Sequence, residues 1–317
     1  MSDTITISVK GEPVAVPCRH VRGVSLVITG RIVRTSRIFD EYWIERSRIP
    51  SLQDLVTDLS REGIASDLLV FTQRVPEHEP LYASLYRYDY DNCAVLELSS
   101  YEAWLNKQIP PATRRNVRAS AKRGVVVRQA EYDDKYVAGI KSIFDETPFR
   151  AGRRYWHFGK SLESVRSENG TYQARSVYLG AYKEGELIGY LKMVVDGETA
   201  AIMQILSKLA ERDARPNNAL IAAAVQICCE RGIRYLQYEK YDYGSKRGDS
   251  LTRFKQSCGF TRMNLPTYYV PLTLRGRLAL WAGLHKGVAG RVPERLAAPL
   301  REARSRLLFR VKDRSAE

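Results

Sequence analysis

Hydrophobic residues in the first hundred positions follow the alternation of strands, with one helical repeat between them. Residues 1–20 form two alternating runs around a Lys-Gly-Glu-Pro turn and predict a hairpin. Residues 50–63 predict a helix that Ser51 caps and Gly63 ends. Further apolar runs predict strands at residues 25–33, 67–75, 82–90 and 93–98. The chain is therefore expected to begin with a β-rich unit containing one helix.

From residue 99 onwards the pattern predicts a longer series of strands and helices. A helix capped by Ser99 or Ser100 is interrupted by the proline pair 110–111, and a basic helix then runs to Gly124. A buried helix beginning at Asn217 or Asn218 follows a meander of three strands. In chain order, the other predicted elements are a strand at 125–130, a helix at 133–146, the meander at 176–209, a strand at 234–241, a helix at 251–259 and a strand at 262–272.

Positive charge is concentrated in two segments of the chain. The formal net charge is +14, and residues 104–128 contain seven basic residues and no acidic one. Residues 271–317 contain eleven basic and four acidic residues, so these two segments carry the whole excess. Charge that is localised in this way indicates specific anionic partners. The interpretation of each segment as a solvated surface stays open.

Other features narrow the class of protein. No apolar run approaches the length of a membrane-spanning helix, and the N-terminus lacks the features of a signal peptide. The five cysteines form no CxxC pair and have no histidine at metal-ligand spacing. We therefore expect a cytoplasmic protein without a disulfide framework, a metal site or a permanently bound cofactor.

The element order resembles the GNAT acyltransferase core, and two segments resemble the Fem family and its FemAB-like relatives. The segments are ATRRNVRASAKRGVVVR at 112–128 and SLTRFKQSCGF at 250–260. Fem enzymes transfer amino acids from tRNA to peptidoglycan precursors. The resemblance implies an α+β fold with a GNAT-like mixed sheet flanked by helices. We expect a shortened first lobe at 1–98, a complete acyltransferase domain at 99–273 and basic amphipathic helices at 274–317.

The turn before the helix at 217 differs from that of acetyl-CoA enzymes in the GNAT class. Those enzymes have glycines there whose amides cradle a pyrophosphate, whereas residues 212–218 read RDARPNN and contain none. Fem-like enzymes also lack the glycine turn, so the sequence favours an acyl donor other than free CoA. Both aminoacyl-tRNA and acyl-CoA remain candidates for the anionic co-substrate. The predicted donor-binding residues are Arg215, Asn217, Asn218 and Phe254.

Three residues are candidates for the chemistry of acyl transfer. The resemblance implies that Lys255, in the Phe-Lys pair, lies near the acyl ester and supports the transition state. Glu239 and Tyr241 alternate on the predicted strand before it, so they share a face and suit a general base and a general acid. The alternative interpretations are a surface lysine and a tyrosine-rich strand on which Glu239 pairs with a neighbouring cation.

Residues 147–160 combine cationic and aromatic side chains in a predicted loop, which suits an anionic acceptor such as a nucleotide sugar or a lipid-linked precursor. In the alternative interpretation, the aromatic residues fill the edge of the core and the arginines stay solvated. The predicted acceptor-binding residues are Arg150, Arg153, Trp156, His157 and Lys160.

Two further surfaces suit phosphate groups. Arg114, Arg115, Arg118 and Lys122 share one face of the basic helix, as a phosphate backbone requires. Residues 274–310 predict basic amphipathic helices, which suit a membrane surface, RNA or the protein's own domain. A membrane contact would place the protein at the inner face of the membrane.

These features favour a FemAB-like transferase that moves an aminoacyl or acyl group onto an amine of a cell-envelope or secondary-metabolite precursor. One alternative is an acyl-CoA-dependent N-acyltransferase that acts on a nucleotide sugar or a polysaccharide unit. Another is a non-catalytic module that binds RNA or membrane through the same basic surfaces.

Overall fold

The computed structural model describes residues 3–9, 12–21, 24–30, 32–39, 51–61, 65–150, 152–242 and 250–286. The strands are β1 Asp3–Val9, β2 Glu12–Val21, β3 Val24–Thr29, β4 Thr35–Ile38, β5 Leu68–Thr72, β6 Arg87–Glu97, β7 Val126–Gln129, β8 Phe149–Arg150, β9 Arg153–Arg154, β10 Ser176–Lys183, β11 Glu186–Asp196, β12 Thr199–Ser207, β13 Tyr235–Gln237 and β14 Thr261–Pro271. The helices are α1 Leu52–Arg61, α2 Tyr101–Ala103, α3 Pro111–Lys122, α4 Asp134–Phe144, α5 Leu162–Asn169, α6 Pro216–Glu230, α7 Ser250–Ser257 and α8 Leu274–Trp281. The predicted tail beyond residue 286 lies outside the described residues.

Local sequence signals set several of these boundaries. The amide of Asp54 donates to Ser51 Oγ at 3.0 Å, which confirms the predicted cap of α1. Ser100 likewise caps α2, and a π-helical turn at Trp104–Gln108 continues it up to the prolines. Pro111 then occupies the first turn of α3, where a missing N–H costs nothing because that amide has no helical partner.

One long strand replaces the two predicted at 82–90 and 93–98. Residues 81–86 form turns, and β6 then runs without interruption for eleven residues. It is continuous because β14 pairs with it from Arg87 to Val95 and β13 pairs with its last three residues. These partners lie far away in the sequence, so the local pattern did not reveal them.

Twelve of the described strands form one sheet in the order β1-β2-β3-β4-β5-β14-β6-β13-β12-β11-β10-β7, and β8 and β9 pair in a separate two-stranded sheet. The pairs β4/β5 and β12/β13 are parallel and the others are antiparallel. Helix α1 connects the first parallel pair and α6 connects the second. The predicted α+β class, with a mixed sheet flanked by helices, is confirmed. The predicted meander is also present as β10, β11 and β12.

The half of the sheet that contains β5 ends with β14 from late in the chain, and the half that contains β13 ends with β6 from early in the chain. After β5 the chain continues into β6, which pairs with β13. After β13 it continues through α7 into β14, which pairs with β5. Strands β6 and β14 also pair with each other along the centre of the sheet. Strand pairing therefore crosses the predicted boundary at residue 98, and the division into 1–98, 99–273 and 274–317 stays a prediction.

Hydrophobic cores lie on the helix-covered parts of the sheet. The largest packs α6 against the sheet through Leu220, Ile221, Val225 and Cys228. Burial raises the pKa of the Cys228 thiol to about 12, which agrees with the predicted role of this thiol as a small hydrophobe. Within the described part of the chain, no helix is long and apolar enough to cross a membrane.

Candidate functional site

A wedge opens in the sheet between the parallel strands β12 and β13. The two strands pair only from Thr199 to Ala201 and from Tyr235 to Gln237. The chain after Gln237 stays with β6 instead, because the Tyr238 amide donates to the Ala94 carbonyl at 2.9 Å. The rest of β12 therefore lies apart from the segment that leaves β13, and α6 begins at the carboxyl end of β12. Crevices of this kind, at the carboxyl ends of parallel strands, are common binding places in α/β sheets.

Lys255 lies next to this wedge and is completely buried. Its ammonium donates to the Lys240 carbonyl at 2.6 Å and lies 4.3 Å from the centre of the Tyr238 ring. The alternative of a surface lysine is therefore wrong. A buried ammonium has a strong electrostatic effect because little water screens it. We call residues 238–242, which this lysine holds in place, the β13 exit.

The β13 exit does not have the predicted strand geometry. Strand β13 ends at Gln237, and Glu239 has a left-handed backbone with φ of +47°. The alternation of side chains that was expected to place Glu239 and Tyr241 on one face is therefore absent. The Glu239 carbonyl accepts from the Ala94 amide at 2.8 Å, and the Tyr241 carbonyl accepts from Thr252 Oγ1 at 3.2 Å. Both residues flank Lys240, whose carbonyl accepts from Lys255, and their catalytic roles stay predictions.

Burial and nearby charges shift the pKa values of Cys93 and Tyr238, which lie near Lys255. Burial raises the pKa of the Cys93 thiol to about 12, and the Lys255 ammonium opposes that rise. Burial also raises the pKa of Tyr238, and the nearby Glu239 carboxylate raises it further. Tyr238 is therefore a neutral phenol whose ring faces the ammonium, an arrangement that stabilises the charge.

Arg215, rather than Asn217 or Asn218, caps the start of α6. Its backbone is left-handed, with φ of +58°, and Pro216 takes the first helical position. The Asn218 and Ala219 amides donate to the Arg215 carbonyl, so fewer amides point outward than the sequence suggested. Arg215 Nε and Asn217 Oδ1 are buried and have no hydrogen-bond partner among the described residues. Polar atoms in this state, at the predicted donor site, suit contact with a ligand.

Phe254, the fourth predicted donor-binding residue, lies one position before Lys255 on α7. Its side chain is half-buried and packs against the large core beneath α6. The ring therefore forms part of the wall next to the wedge, and its contact with the donor stays a prediction.

The basic helix α3 packs along α6, and its C-terminal end reaches the turn before α6. Arg123 donates from Nη1 to the Asp213 carbonyl, two residues before Arg215. Arg115, Arg118 and Lys122 are exposed, whereas Arg114 is half-buried and donates to the Asn106 carbonyl at 3.4 Å. Three of the four predicted phosphate-binding side chains thus form an open cationic surface, and Arg123 at the end of α3 joins this helix to the predicted donor turn. The sequence did not reveal this adjacency, because Arg123 and Asp213 are 90 residues apart in the chain.

Sequence comparisons assign no family to the chain. No protein-family model matches it, and a search of curated proteins found no significant match. Solved structures do resemble it. FemX is 11% identical with a TM-score of 0.57, covering 89% of this chain and 90% of FemX. The C-terminal domain of a putative lysylphosphatidylglycerol synthetase from Agrobacterium fabrum is 14% identical with a TM-score of 0.54, covering 85% of this chain and 88% of that domain. The protein has the FemAB-like GNAT fold.

This FemAB-like fold confirms the resemblance that the sequence motifs indicated. A conserved protein of unknown function from Bacteroides thetaiotaomicron has a similar arrangement, with 10% identity, a TM-score of 0.50, and coverage of 80% of this chain and 85% of that protein. The low identities mean that these likenesses establish the fold alone.

In the loop at 147–160, hydrogen bonds to neighbouring parts of the protein hold Arg150 in place. Arg150 donates from Nη2 to Glu146 at 3.1 Å and to the carbonyls of Ile143 and Ser207 at 3.3 and 3.1 Å. Glu146 in turn accepts from the Leu209 and Ala210 amides. Arg150 therefore positions the segment after β12. It is not solvated, whereas the alternative interpretation expected a solvated guanidinium, and its contact with an acceptor stays a prediction.

His157 is buried, which corrects the expectation of an accessible imidazole. Only 4% of the residue is exposed, and its ring lies between Phe144 and Trp156 at centroid distances of 4.1 and 3.5 Å. Burial lowers its pKa to about 3, and the charges of Lys160 and Arg150 lower it further, so the ring is neutral near pH 7. Its contribution is to the packing of the loop.

The other predicted acceptor-binding residues differ in exposure and in ion pairing. Trp156 is 48% exposed, with Lys160 Nζ 4.0 Å from its ring centre. The same ammonium binds the Glu168 carboxylate at 2.6 Å. Arg153 belongs to β9, and its side chain lies outside the described part of the structure. Among the acceptor candidates whose side chains the structure describes, Trp156 is therefore the most accessible.

Sequence reasoning missed a polar cavity of about 480 Å³ near the middle of the sheet. Lys240 lines it, and the Lys240 carbonyl is the one that accepts from Lys255. The rest of its lining consists of Arg37, Asp89, Tyr90, Asp91, Thr267, Tyr269 and His285. Asp91 pairs with Lys240 Nζ at 3.0 Å. The only sequence signal was the alternating RYDYDN at 87–92, since the insertion of β14 between β5 and β6 assembles the rest.

In the described part of the chain, no group of three or more histidine, cysteine, aspartate or glutamate side chains is arranged to hold a metal ion.

Proposed function

We propose that the protein is a FemAB-like acyltransferase that takes an aminoacyl group from aminoacyl-tRNA and passes it to an amine. The observation that carries this proposal is the packing of the basic helix α3 along α6, with the C-terminal end of α3 at the turn before α6. The fold supplies the acyltransferase framework, and the exposed Arg115, Arg118 and Lys122 supply a surface for a donor that is rich in phosphate.

The donor site favours tRNA over CoA for a physical reason. A pyrophosphate is usually held by several outward amides of a glycine-rich turn, and here Pro216 and the amides bonded to Arg215 reduce that number. The surface of α3 extends the positive charge along a helix of twelve residues, which suits a long anion. In this proposal, Arg215 and Asn217 contact the aminoacyl end of the tRNA, and α3 binds the phosphates of the nucleotides next to it.

The proposed reaction is aminolysis of an ester. The acceptor amine attacks the ester carbonyl carbon, a C–N bond forms, and the bond to the ribose oxygen breaks. The amine loses a proton and the leaving ribose oxygen gains one, so the reaction needs no further reactant. Lys255 holds the β13 exit in shape, and its buried charge supports, through space, the negative charge that develops on the carbonyl oxygen. Glu239 and Tyr241 are the proposed groups for the two proton movements.

The acceptor amine has a suitable place in the polar cavity next to Lys240. Carboxylates such as Asp91 attract an ammonium group, while Arg37 and Lys240 suit an anionic part of the same molecule. The acceptor would therefore be an amine that also carries acidic groups, as cell-envelope and nucleotide-linked precursors do. Trp156 provides a second, exposed surface against which a sugar can stack.

A label-transfer experiment tests this function. Bulk tRNA charged with radiolabelled amino acids is incubated with the protein and with soluble or membrane fractions of a bacterial lysate. We expect label to move from tRNA into a product that survives mild base, because an amide resists the treatment that hydrolyses an aminoacyl ester. Lys255→Met should reduce this transfer by about a hundredfold or more, as loss of an oxyanion-stabilising group does in other enzymes.

Labelled acetyl-CoA in a parallel reaction serves as the control for the donor. Base-stable label that comes from acetyl-CoA and not from tRNA would contradict the proposal and favour the CoA-dependent alternative. Transfer by neither donor, from a folded protein, would favour the non-catalytic binding module.

A further inference from the structure

Helix α8 turns a stripe of large apolar side chains toward solvent. Leu274, Leu278 and Trp281 follow the i, i+4, i+7 spacing of one helical face and are 75%, 66% and 87% exposed. Single exposed hydrophobic residues are common on protein surfaces, but three on one face of an eight-residue helix form a patch.

The opposite face of α8 is fixed to the sheet. Leu280 packs with Leu68, Val70 and Tyr269, and Ala279 is also buried. Gly276 lies so close to the sheet that a Cβ there would come within 2.0 Å of the Asp67 carbonyl oxygen. Rotation of the helix would break this contact, so the stripe stays exposed as long as α8 stays packed.

A neighbouring loop enlarges the patch. Ile32 is 77% exposed, and the next residue, Val33, packs against the cluster that contains Leu280. The Asp67 carboxylate joins the loop to the helix, because it accepts from the Arg34 amide and from Thr273 Oγ1, each at 2.8 Å. We call Ile32, Leu274, Leu278 and Trp281 the α8 patch.

Cationic side chains accompany the α8 patch. Arg34, Arg275 and Arg277 are all exposed, and no acidic residue occurs between positions 250 and 293. Leucine and tryptophan side chains beside arginines suit the boundary between lipid headgroups and acyl chains. Anionic lipids add attraction for the arginines. We infer that the α8 patch docks the protein on the surface of an anionic lipid bilayer.

Charge disfavours the other possible occupants. A second copy of the chain would bring the same arginines against one another in a symmetric contact. The following segment, residues 287–317, carries eight basic and four acidic residues, so its net charge has the same sign as that of the patch. RNA would satisfy the arginines but would leave the leucine and tryptophan side chains in water. The docking does not depend on the proposed transferase reaction, since it rests on a different surface.

Vesicle sedimentation with the full-length protein tests the inference. One set of vesicles contains phosphatidylcholine with roughly a quarter phosphatidylglycerol, and the other contains phosphatidylcholine alone. We expect the protein to sediment with the anionic vesicles and to be released as salt is added. The double variant Leu278→Ser, Trp281→Ser should lower the partition coefficient by more than about tenfold, since it removes two large apolar side chains from the contact.

A double variant at the far edge of the sheet provides the matched control. Val126 and Leu162 are 62% and 41% exposed, and Val126→Ser with Leu162→Ser should leave sedimentation unchanged. Equal binding by the wild type and the α8 variant, or equal binding to neutral vesicles, would overturn the inference.

Two further measurements identify other occupants of the patch. If the α8 variant unfolds at clearly lower urea than the wild type, another part of the chain covers the patch and the inference fails. It also fails if sedimentation velocity shows a dimer that the α8 variant abolishes.

Discussion

Lys255 and His157 show what a residue type can and cannot predict by itself. Both are basic side chains that the sequence placed at the site, and both are buried. The resemblance of the segment around Phe254 and Lys255 to the Fem family identified Lys255, because such a motif corresponds to a fixed position in the fold. His157 had only its residue type and its neighbours in the sequence as signals. These did not indicate that Phe144, at the end of helix α4, would pack on its ring.

The first prediction concerns the stability of the Lys255→Met variant. Methionine fills a similar volume, and the loss of the donor to the Lys240 carbonyl, about 1–3 kcal/mol, is offset by removal of a buried charge. We expect the free energy of unfolding in urea to change by less than about 2 kcal/mol while acyl transfer is lost. A variant that does not fold would show that this lysine acts mainly in folding, and Lys255→Arg then serves as the second test, since it keeps the charge.

The second prediction is a pH dependence of stability that originates at His157. Its folded pKa of about 3 lies below the ordinary value of 6.5, so between these values the unfolded chain takes up a proton that the folded chain does not. The contribution of His157 is therefore complete above pH 6.5 and decreases as the pH falls toward 3, by at most about 1.4 kcal/mol per pH unit.

Urea unfolding of the wild type and of His157→Phe between pH 7.5 and roughly pH 4.5 measures this slope. Phenylalanine keeps the ring contacts and cannot titrate, so the difference between the two proteins should grow as the pH falls. Parallel curves would contradict the low pKa.

At the scale of elements, helices with a clear cap and apolar face were predicted well, whereas helix α5, strand β4 and the ends of several strands were not. Helix α1 has its own cap and apolar face, so its limits are encoded locally. Strand β13 was predicted to extend to residue 241 but has three residues, because the chain leaves β12 and turns at Glu239. That turn is part of the candidate site. Glu239 and its neighbours in the sequence are not residue types that typically form turns, so the sequence did not predict it.

The third prediction concerns the attachment of α8 to the sheet. In Gly276→Ala, the new methyl group would overlap the Asp67 carbonyl, so the helix must shift. We expect a loss of about 1–3 kcal/mol in the free energy of unfolding. Arg277→Ala, which alters an exposed position of the same helix, should change that free energy by less than about 0.5 kcal/mol. Equal stability of the two variants would show that α8 is not packed as described.

At the scale of the whole molecule, the exchange of β6 and β14 joins the two halves into one sheet. The resemblance to the Fem family implied two lobes, and each half of the sheet has a parallel strand pair connected by a helix. The exchange depends on pairing between strands more than a hundred and fifty residues apart, such as Thr267 with Asp89. Periodicity within a segment carries no information on such pairing, and for this reason the polar cavity beside Lys240 was also missed.

The fourth prediction is that the chain unfolds in a single transition. Neither half keeps a complete sheet without a strand from the other, so they should lose their structure together. Calorimetry should give one peak whose calorimetric and van't Hoff enthalpies agree. Two separate peaks would indicate that the halves fold independently despite the shared strands.

The measurement that tests the central claim most directly is the affinity for bulk tRNA at several salt concentrations, with CoA as the competing donor. The proposal predicts that tRNA binds, that CoA does not displace it, and that its affinity falls steeply with salt. A triple variant, Arg115→Ala with Arg118→Ala and Lys122→Ala, should flatten the slope of log affinity against log salt by about 2–3, roughly one for each lost phosphate contact. Salt-insensitive binding of CoA, or an unchanged slope in the triple variant, would contradict the account.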